Sequence, residues 1–323
     1  MKKWILFLSV IFLLSGCSAE AAEPEMPEER VAVITEAPVE TTEEPTEETA
    51  PPPPEPTAAL LEPEAPGTAE SRCETAVVDY SNAGDGYIMV CHFGESETRL
   101  KVLLKGPKKT YKYDLPQGEW AVFPLSDGDG AYQAGVYRNP YGSKYALVMT
   151  AEFSVAMEDP FGPFLRPNQF VNYLEAPHTV ALGAELCAGM ENTLDKVAAV
   201  YDYAVENLTY DEEKAATVQS GYLPAPDEIL ETGKGICFDY AAVMTAMLRT
   251  QGVPCKLVVG YAGDIYHAWI SVWVEEMGWI YGAIYFDGKD WKRMDPTFAS
   301  SAEGRQEILD FIENGNYTEK YCY

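Results

Sequence analysis

Basic residues are scarce in this chain: 23 Lys and Arg stand against 51 Asp and Glu, a formal net charge of −28. Such a surface repels a phosphate backbone, which argues against any nucleic-acid partner. Histidine is scarcer still. His92, His178 and His267 lie far apart and no Cys-x-x-Cys pair exists, so the ligand spacing of a structural zinc site is missing. The seven cysteines, Cys17, Cys73, Cys91, Cys187, Cys237, Cys255 and Cys322, are scattered and give no disulfide framework. The apolar run from Trp4 to Leu14 falls short of the about 18 residues needed to cross a bilayer. Residues 18–72 contain no Phe, Trp or Tyr, and hold fifteen Glu against two Arg together with eleven of the 23 Pro. This segment cannot bury enough apolar surface to offset its ordering entropy. It reads as a disordered spacer, extended by proline stiffness and charge repulsion.

What is present begins with an export signal. Lys2 and Lys3 precede the apolar run, and Leu14-Ser15-Gly16-Cys17 follows it. The latter resembles a bacterial lipobox, which implies cleavage before Cys17 and lipid attachment to it. The expected organisation is a lipoprotein signal over residues 1–17, the spacer over 18–72, and two folded domains over 73–158 and 159–323. From Thr75 to Met157, short runs such as Gly86 to Cys91 and Leu100 to Leu104 are separated by turn signals at the spacing of an all-β sandwich. Asp159-Pro160-Phe161-Gly162-Pro163 breaks that pattern. Beyond it the period changes. Thr193 to Leu208 places Leu194, Val197, Tyr201, Ala204 and Leu208 on one helical face, Ala241 to Arg249 gives a second helix, and strands follow from Cys255. The fold class is therefore α+β.

Three residues carry candidate chemistry. Cys237 follows Gly233-Lys234-Gly235 where the loop gives way to a helix, and unpaired amides and the helix dipole there favour a thiolate. His267 stands in a strand whose Ala268, Ile270, Val272 and Val274 form an aliphatic face, which puts the imidazole on the opposite face. Asp295 precedes Pro296, where it either starts a turn or accepts an imidazole N–H. A thiol, a base and a carboxylate in this order are the parts of a nucleophile with an oriented base; a thiol that reacts fast at mildly acidic pH would mark a working ion pair.

The segment Gly235-Ile236-Cys237-Phe238-Asp239-Tyr240-Ala241, followed by Leu248-Arg249, Gly252-Val253-Pro254, Gly260-Tyr261, His267-Ala268-Trp269 and Asp295-Pro296-Thr297, resembles the transglutaminase-like superfamily. The resemblance implies a papain-like core behind the β-rich half, with Cys237 as nucleophile, His267 as base and Asp295 as its orienting carboxylate. It implies acyl transfer from protein or peptide amides through a thioester, ending in hydrolysis or in crosslinking to an amine. Tyr210 is a candidate oxyanion donor without a motif to fix it. Some relatives use calcium, but no dense acidic loop accompanies the triad, so no cofactor or metal is expected. The expected partners are a protein or peptide substrate at the cell surface and the membrane, through lipid on Cys17. The rival reading is a non-enzymatic surface module that retains the scaffold.

Overall fold

Alternating apolar and polar residues in the first half fold as antiparallel ladders, as a period of two dictates. The computed structural model describes residues 60–96, 98–141, 144–262, 265–275, 278–281, 284–286, 291–293 and 317–323. The strands of this half are β1 (Glu70–Arg72), β2 (Ala76–Asp79), β3 (Tyr87–His92), β4 (Leu100–Lys105), β5 (Thr110–Leu115), β6 (Trp120–Pro124), β7 (Gly130–Tyr141) and β8 (Lys144–Val155). They form sheets in the orders β1-β2-β3-β6 and β5-β4-β7-β8. Val78, Ile88, Val90 and Phe123 of the first sheet share a hydrophobic cluster with Val102, Leu104, Tyr113 and Val136 of the second. The Tyr113 and Phe123 rings meet at 4.9 Å. Composition places the start of this half at Cys73, whereas the ladder starts at Glu70. The amides of Gly67 and Ala69 bond Asp79 and Ser81, so backbone pairing orders residues whose side chains bury little.

The second half contributes, in chain order, α1 (Pro177–Leu186), α2 (Thr193–Asn207), β9 (Thr209–Tyr210), α3 (Glu212–Thr217), α4 (Pro226–Thr232), β10 (Lys234–Gly235) and α5 (Cys237–Thr250). There follow β11 (Cys255–Ala262), β12 (Ile265–Val274), β13 (Gly278–Tyr281), β14 (Ile284–Phe286), β15 (Trp291–Arg293) and β16 (Tyr317–Cys322). Strands β13-β12-β11-β16 make an antiparallel sheet, β14 pairs with β15, and β9 runs parallel to β10. Helix α5 is buried on every side from Asp239 to Thr250, as expected for a helix apolar all round. It lies between α1, α2 and α4 and the strands β11 and β12. Helix α1 has no cap of its own; Asp227 in the first turn of α4 accepts the amides of His178 and Thr179 at 3.0 and 2.7 Å.

Both halves contribute to the same cluster. Tyr323 packs its ring on Tyr111, Tyr113 and Phe170 at 5.9, 5.8 and 4.3 Å, while its backbone exchanges hydrogen bonds with Leu257. Arg249, 3 % exposed, donates to the carbonyls of Cys255, Arg166 and Tyr323 at 2.9, 2.6 and 2.6 Å. One guanidinium thus joins the end of α5, the start of β11, the Arg166 segment between the two halves and the residue after β16.

Candidate active site

The turn that presents Cys237 is built by its neighbours. Helix α4 ends on Gly233 in the left-handed region, φ 61°, and β10 then pairs with β9. Ile236 is extended and caps α5, of which Cys237 is the first residue. Asp239, two residues on and fully buried, turns back so that its Oδ2 accepts the Ile236 amide at 2.9 Å. A side chain at Gly235 would place its Cβ 2.7 Å from the Cβ of Asp239, so glycine is required there by contact rather than by φ. The Gly-x-Cys-x-Asp spacing therefore describes one folded turn. Asp239 also receives Lys214 Nζ on Oδ2 and the Tyr222 hydroxyl on Oδ1, both at 2.6 Å, and Lys214 Nζ donates to that same hydroxyl at 2.6 Å. The stretch from α3 to Tyr222 is thereby tied to the helix that carries the thiol.

The half-buried Cys237 thiol meets the amides of Ala268, Phe238 and Cys237 itself, which favour the thiolate; burial outweighs them and pushes its pKa up. Ala268 adjoins His267 on β12, so the strand of the candidate base lies directly against the sulfur. His267 is 6 % exposed, pairs across the ladder with Gly260 and stacks near Trp269, ring centroids 6.4 Å apart and 20° between planes. A Cβ on Gly260 would lie 2.0 Å from the Thr318 carbonyl oxygen and 2.8 Å from Trp269, which accounts for that glycine of the motif. Ala268, Ile270 and Val272 of the aliphatic face are buried as expected, but His267, Trp269 and Ser271 on the other face are buried as well, because the sheet is covered on both sides there. Tyr210, beside β10, feels the thiol: burial raises its hydroxyl first, and Cys237 adds to the rise. Asp295 and Cys17 lie outside the described residues.

Residues 180–296 match the model of the transglutaminase-like superfamily. The chain carries a transglutaminase-like domain. Three curated relatives are similar to it. The uncharacterized protein YebA of Bacillus subtilis is 28% identical over 33% of this chain and 18% of its own length. A protein-glutamine gamma-glutamyltransferase of Pseudomonas aeruginosa is 27% identical over 42% of this chain and 20% of its own. The kyphoscoliosis peptidase of Mus musculus is 29% identical over 37% and 18%. The chain spans about a fifth of the length of these relatives.

The transglutaminase-like domain thus sits in an α+β fold behind a β-rich half. Burial drives His267 down to about 4 and pushes the thiol up, in each case away from the charged form. The sign for stability follows. An imidazole with its folded value depressed below the ordinary 6.5 binds protons more readily when unfolded, so stability is full above pH 6.5 and declines as pH falls toward 4. A loss of about 3 kcal/mol across that window is expected in urea titrations. His267→Gln should flatten this part of the profile; an unchanged slope would refute the assignment. Asp239, Lys214 and Tyr222 were not marked by the sequence as site residues. Asp239 stands two places after Cys237 within the Gly-x-Cys-x-Asp motif, and no local signal linked the other two to it. Among the described residues, no group of three or more His, Cys, Asp or Glu gathers in a metal-binding arrangement.

Proposed function

We propose that the chain is a surface-anchored cysteine acyl-transfer enzyme acting on protein or peptide amides. The observation that carries this reading is a half-buried thiol on the first residue of a buried helix, its sulfur against the amide next to His267. His267 takes the thiol proton as the Cys237 sulfur attacks the amide carbonyl carbon. The amide N–H groups at the start of α5 support the oxyanion. Collapse of the tetrahedral intermediate breaks the C–N bond, the leaving amine takes the proton from His267, and a thioester remains. Water or a lysine amine then attacks the thioester and restores the thiol. Asp295 is assigned the role of accepting the second imidazole N–H, and Cys17 that of the lipid-bearing residue that holds the chain on the outer side of the membrane. The names of the relatives, a glutamyltransferase and a peptidase, support amide chemistry and leave both acceptors open.

The decisive experiment incubates the chain with a glutamine-containing peptide, with and without monodansylcadaverine, and follows Cys237 by intact-mass and peptide mass spectrometry. The expected result is a thioester adduct on Cys237 that partitions to the acid in water or to the dansyl amide with the amine. One observation favours a second reading, a non-enzymatic surface module on a retained scaffold: burial moves both candidate groups away from their charged forms. Neither adduct nor product across a panel of glutaminyl, asparaginyl and backbone-amide peptides would select that module.

A further inference from the structure

The first turn of α5, which carries the thiol, also carries an anion. Asp239 is 0 % exposed, and its charge works against a thiolate on Cys237 two positions earlier. A buried carboxylate is tolerated where a cation and hydrogen-bond donors enclose it. Asp239 finds the cation outside its own helix.

The segment that supplies it runs from Asp211 through α3 to Tyr222. Asp211 fixes its start, with its amide donating to the Gly235 carbonyl at 2.9 Å and its carboxylate accepting the Lys214 amide at 2.8 Å. Beyond that point the segment adds little to the core: α3 buries no residue, and residues 215–221 are all exposed. Two of its side chains converge on one carboxylate. Lys214 Nζ donates to Asp239 Oδ2, the Tyr222 hydroxyl donates to Oδ1, and Nζ also donates to that hydroxyl, each at 2.6 Å. The ammonium lies 4.3 Å from the centroid of the Tyr222 ring. Short charge-assisted bonds of this kind fix geometry as well as charge.

The remaining bond of the carboxylate connects this cluster to the nucleophile. Asp239 Oδ2 accepts the Ile236 amide, and Ile236 is the cap on which α5 begins, directly before the thiol. Whatever moves the carboxylate therefore moves the turn that aims the sulfur and the first amides of the helix. The described groups that face Cys237 are Asp239 on α5, Tyr210 on β9 and Tyr266 on β12, where His267 is the next residue. Those that face Asp239 are Lys214, Tyr222 and Tyr210. Burial raises all three tyrosines, so they stay neutral hydroxyls through neutral pH and leave Lys214 and Asp239 as the charged pair of the turn.

We propose that Lys214 and Tyr222 are positioning residues of the thiol site: they hold Asp239 against the Ile236 amide and neutralise it, so that the first turn of α5 presents its amides to the sulfur without an opposing charge. The purpose of this device rests on the acyl-transfer reading, while the coupling itself is read on the thiol alone. Without the ammonium, the Ile236 amide and the Tyr222 hydroxyl still hold an anionic Asp239, and the thiolate becomes harder to form.

The test follows iodoacetamide alkylation of Cys237 in the full chain by peptide mass spectrometry, from about pH 6 to about pH 10. Lys214→Met, checked for native circular dichroism, should move the midpoint of the rate up by about one pH unit and slow alkylation at neutral pH by about tenfold. Tyr222→Phe should slow it by about threefold. Lys214→Arg restores the cation and should stay within about threefold of the parent chain. In an Asp239→Asn chain, Lys214→Met should change the rate by less than about twofold, because the charge through which it acts is gone. An unmoved midpoint in Lys214→Met would overturn the proposal. So would an equal effect in the Asp239→Asn chain, which would put the ammonium directly on the sulfur, or a failure of arginine to rescue, which would leave Lys214 a packing role. If Asp239→Asn loses its native circular dichroism, the methionine and arginine variants decide. The glutaminyl-peptide assay separates the two readings: a shifted midpoint with no thioester on the parent chain removes acyl transfer and keeps the coupling, and a thioester with no shift removes the coupling alone.

Discussion

Cys237→Ala is expected to lower amide turnover by at least about 10⁴-fold, to the level of uncatalysed background, because no other group can form the thioester. His267→Ala should cost nearly as much, and the double variant no more than either alone, since thiol and imidazole act on one proton and one bond. The fold should tolerate the first change. Cys237 is the first residue of α5 and only half-buried, and alanine is a strong helix former, so urea midpoints are expected to shift by less than about 1 kcal/mol. Initial rates of acid and amine-adduct release from the glutaminyl peptide measure the effect. Residual turnover within tenfold of the parent chain would show that the reaction, if present, runs through other residues. The resting pair bears on the rate profile as well. Burial disfavours the charged forms of both groups, so the alkylation rate of Cys237 is expected to climb through neutral pH instead of reaching a plateau in mild acid.

Arg249→Met is expected to destabilise the protein by about 3–5 kcal/mol, a large fraction of the usual 5–15 kcal/mol of a folded domain. The guanidinium is fully enclosed, and burial pulls it down to about 10. It is held by the carbonyls of Cys255, Arg166 and Tyr323. Methionine fills the space but takes the guanidinium donor from the Cys255 and Arg166 carbonyls, while the Tyr323 oxygen keeps the Leu257 amide; each acceptor left bare costs about 1–3 kcal/mol where water cannot reach it. Relief of the desolvation cost offsets part of this. Equilibrium urea denaturation measures the change. A shift below about 1 kcal/mol would mean that the carbonyls find other donors and that the charge contributes little.

Where physics is local, the sequence was an accurate guide. The run from Leu100 to Leu104 folds as β4, one residue longer, and the amphipathic stretch from Thr193 ends within one residue of α2, started by the Asn192 cap on the Leu194 amide. Turn chemistry and periodicity decide both. Helix α1 escaped notice because its donors are satisfied by Asp227, 48 and 49 positions away, and its Gly183 and Ala184 are chosen for close approach to α5, not for amphipathicity. In the candidate site, the contexts of Cys237 and His267 were readable from the glycine-bracketed loop and from strand alternation. The burial that shifts their protons was not, because it comes from covering both faces of β12. The Lys214–Tyr222–Asp239 contacts are assembled from separated segments and leave no local trace.

The return of residues 317–323 onto β11 has a consequence for biogenesis. Tyr321 and Tyr323 complete a ring cluster with Tyr111, more than two hundred positions earlier, and Tyr323 closes the carbonyl set around Arg249. Contacts of such sequence separation form late, since loop closure must precede any reward from pairing. The sheet behind the thiol therefore finishes only when this strand has paired with β11. The sheet that stands against the thiol is thus completed by one of the last contacts to form, whatever the order of the earlier ones.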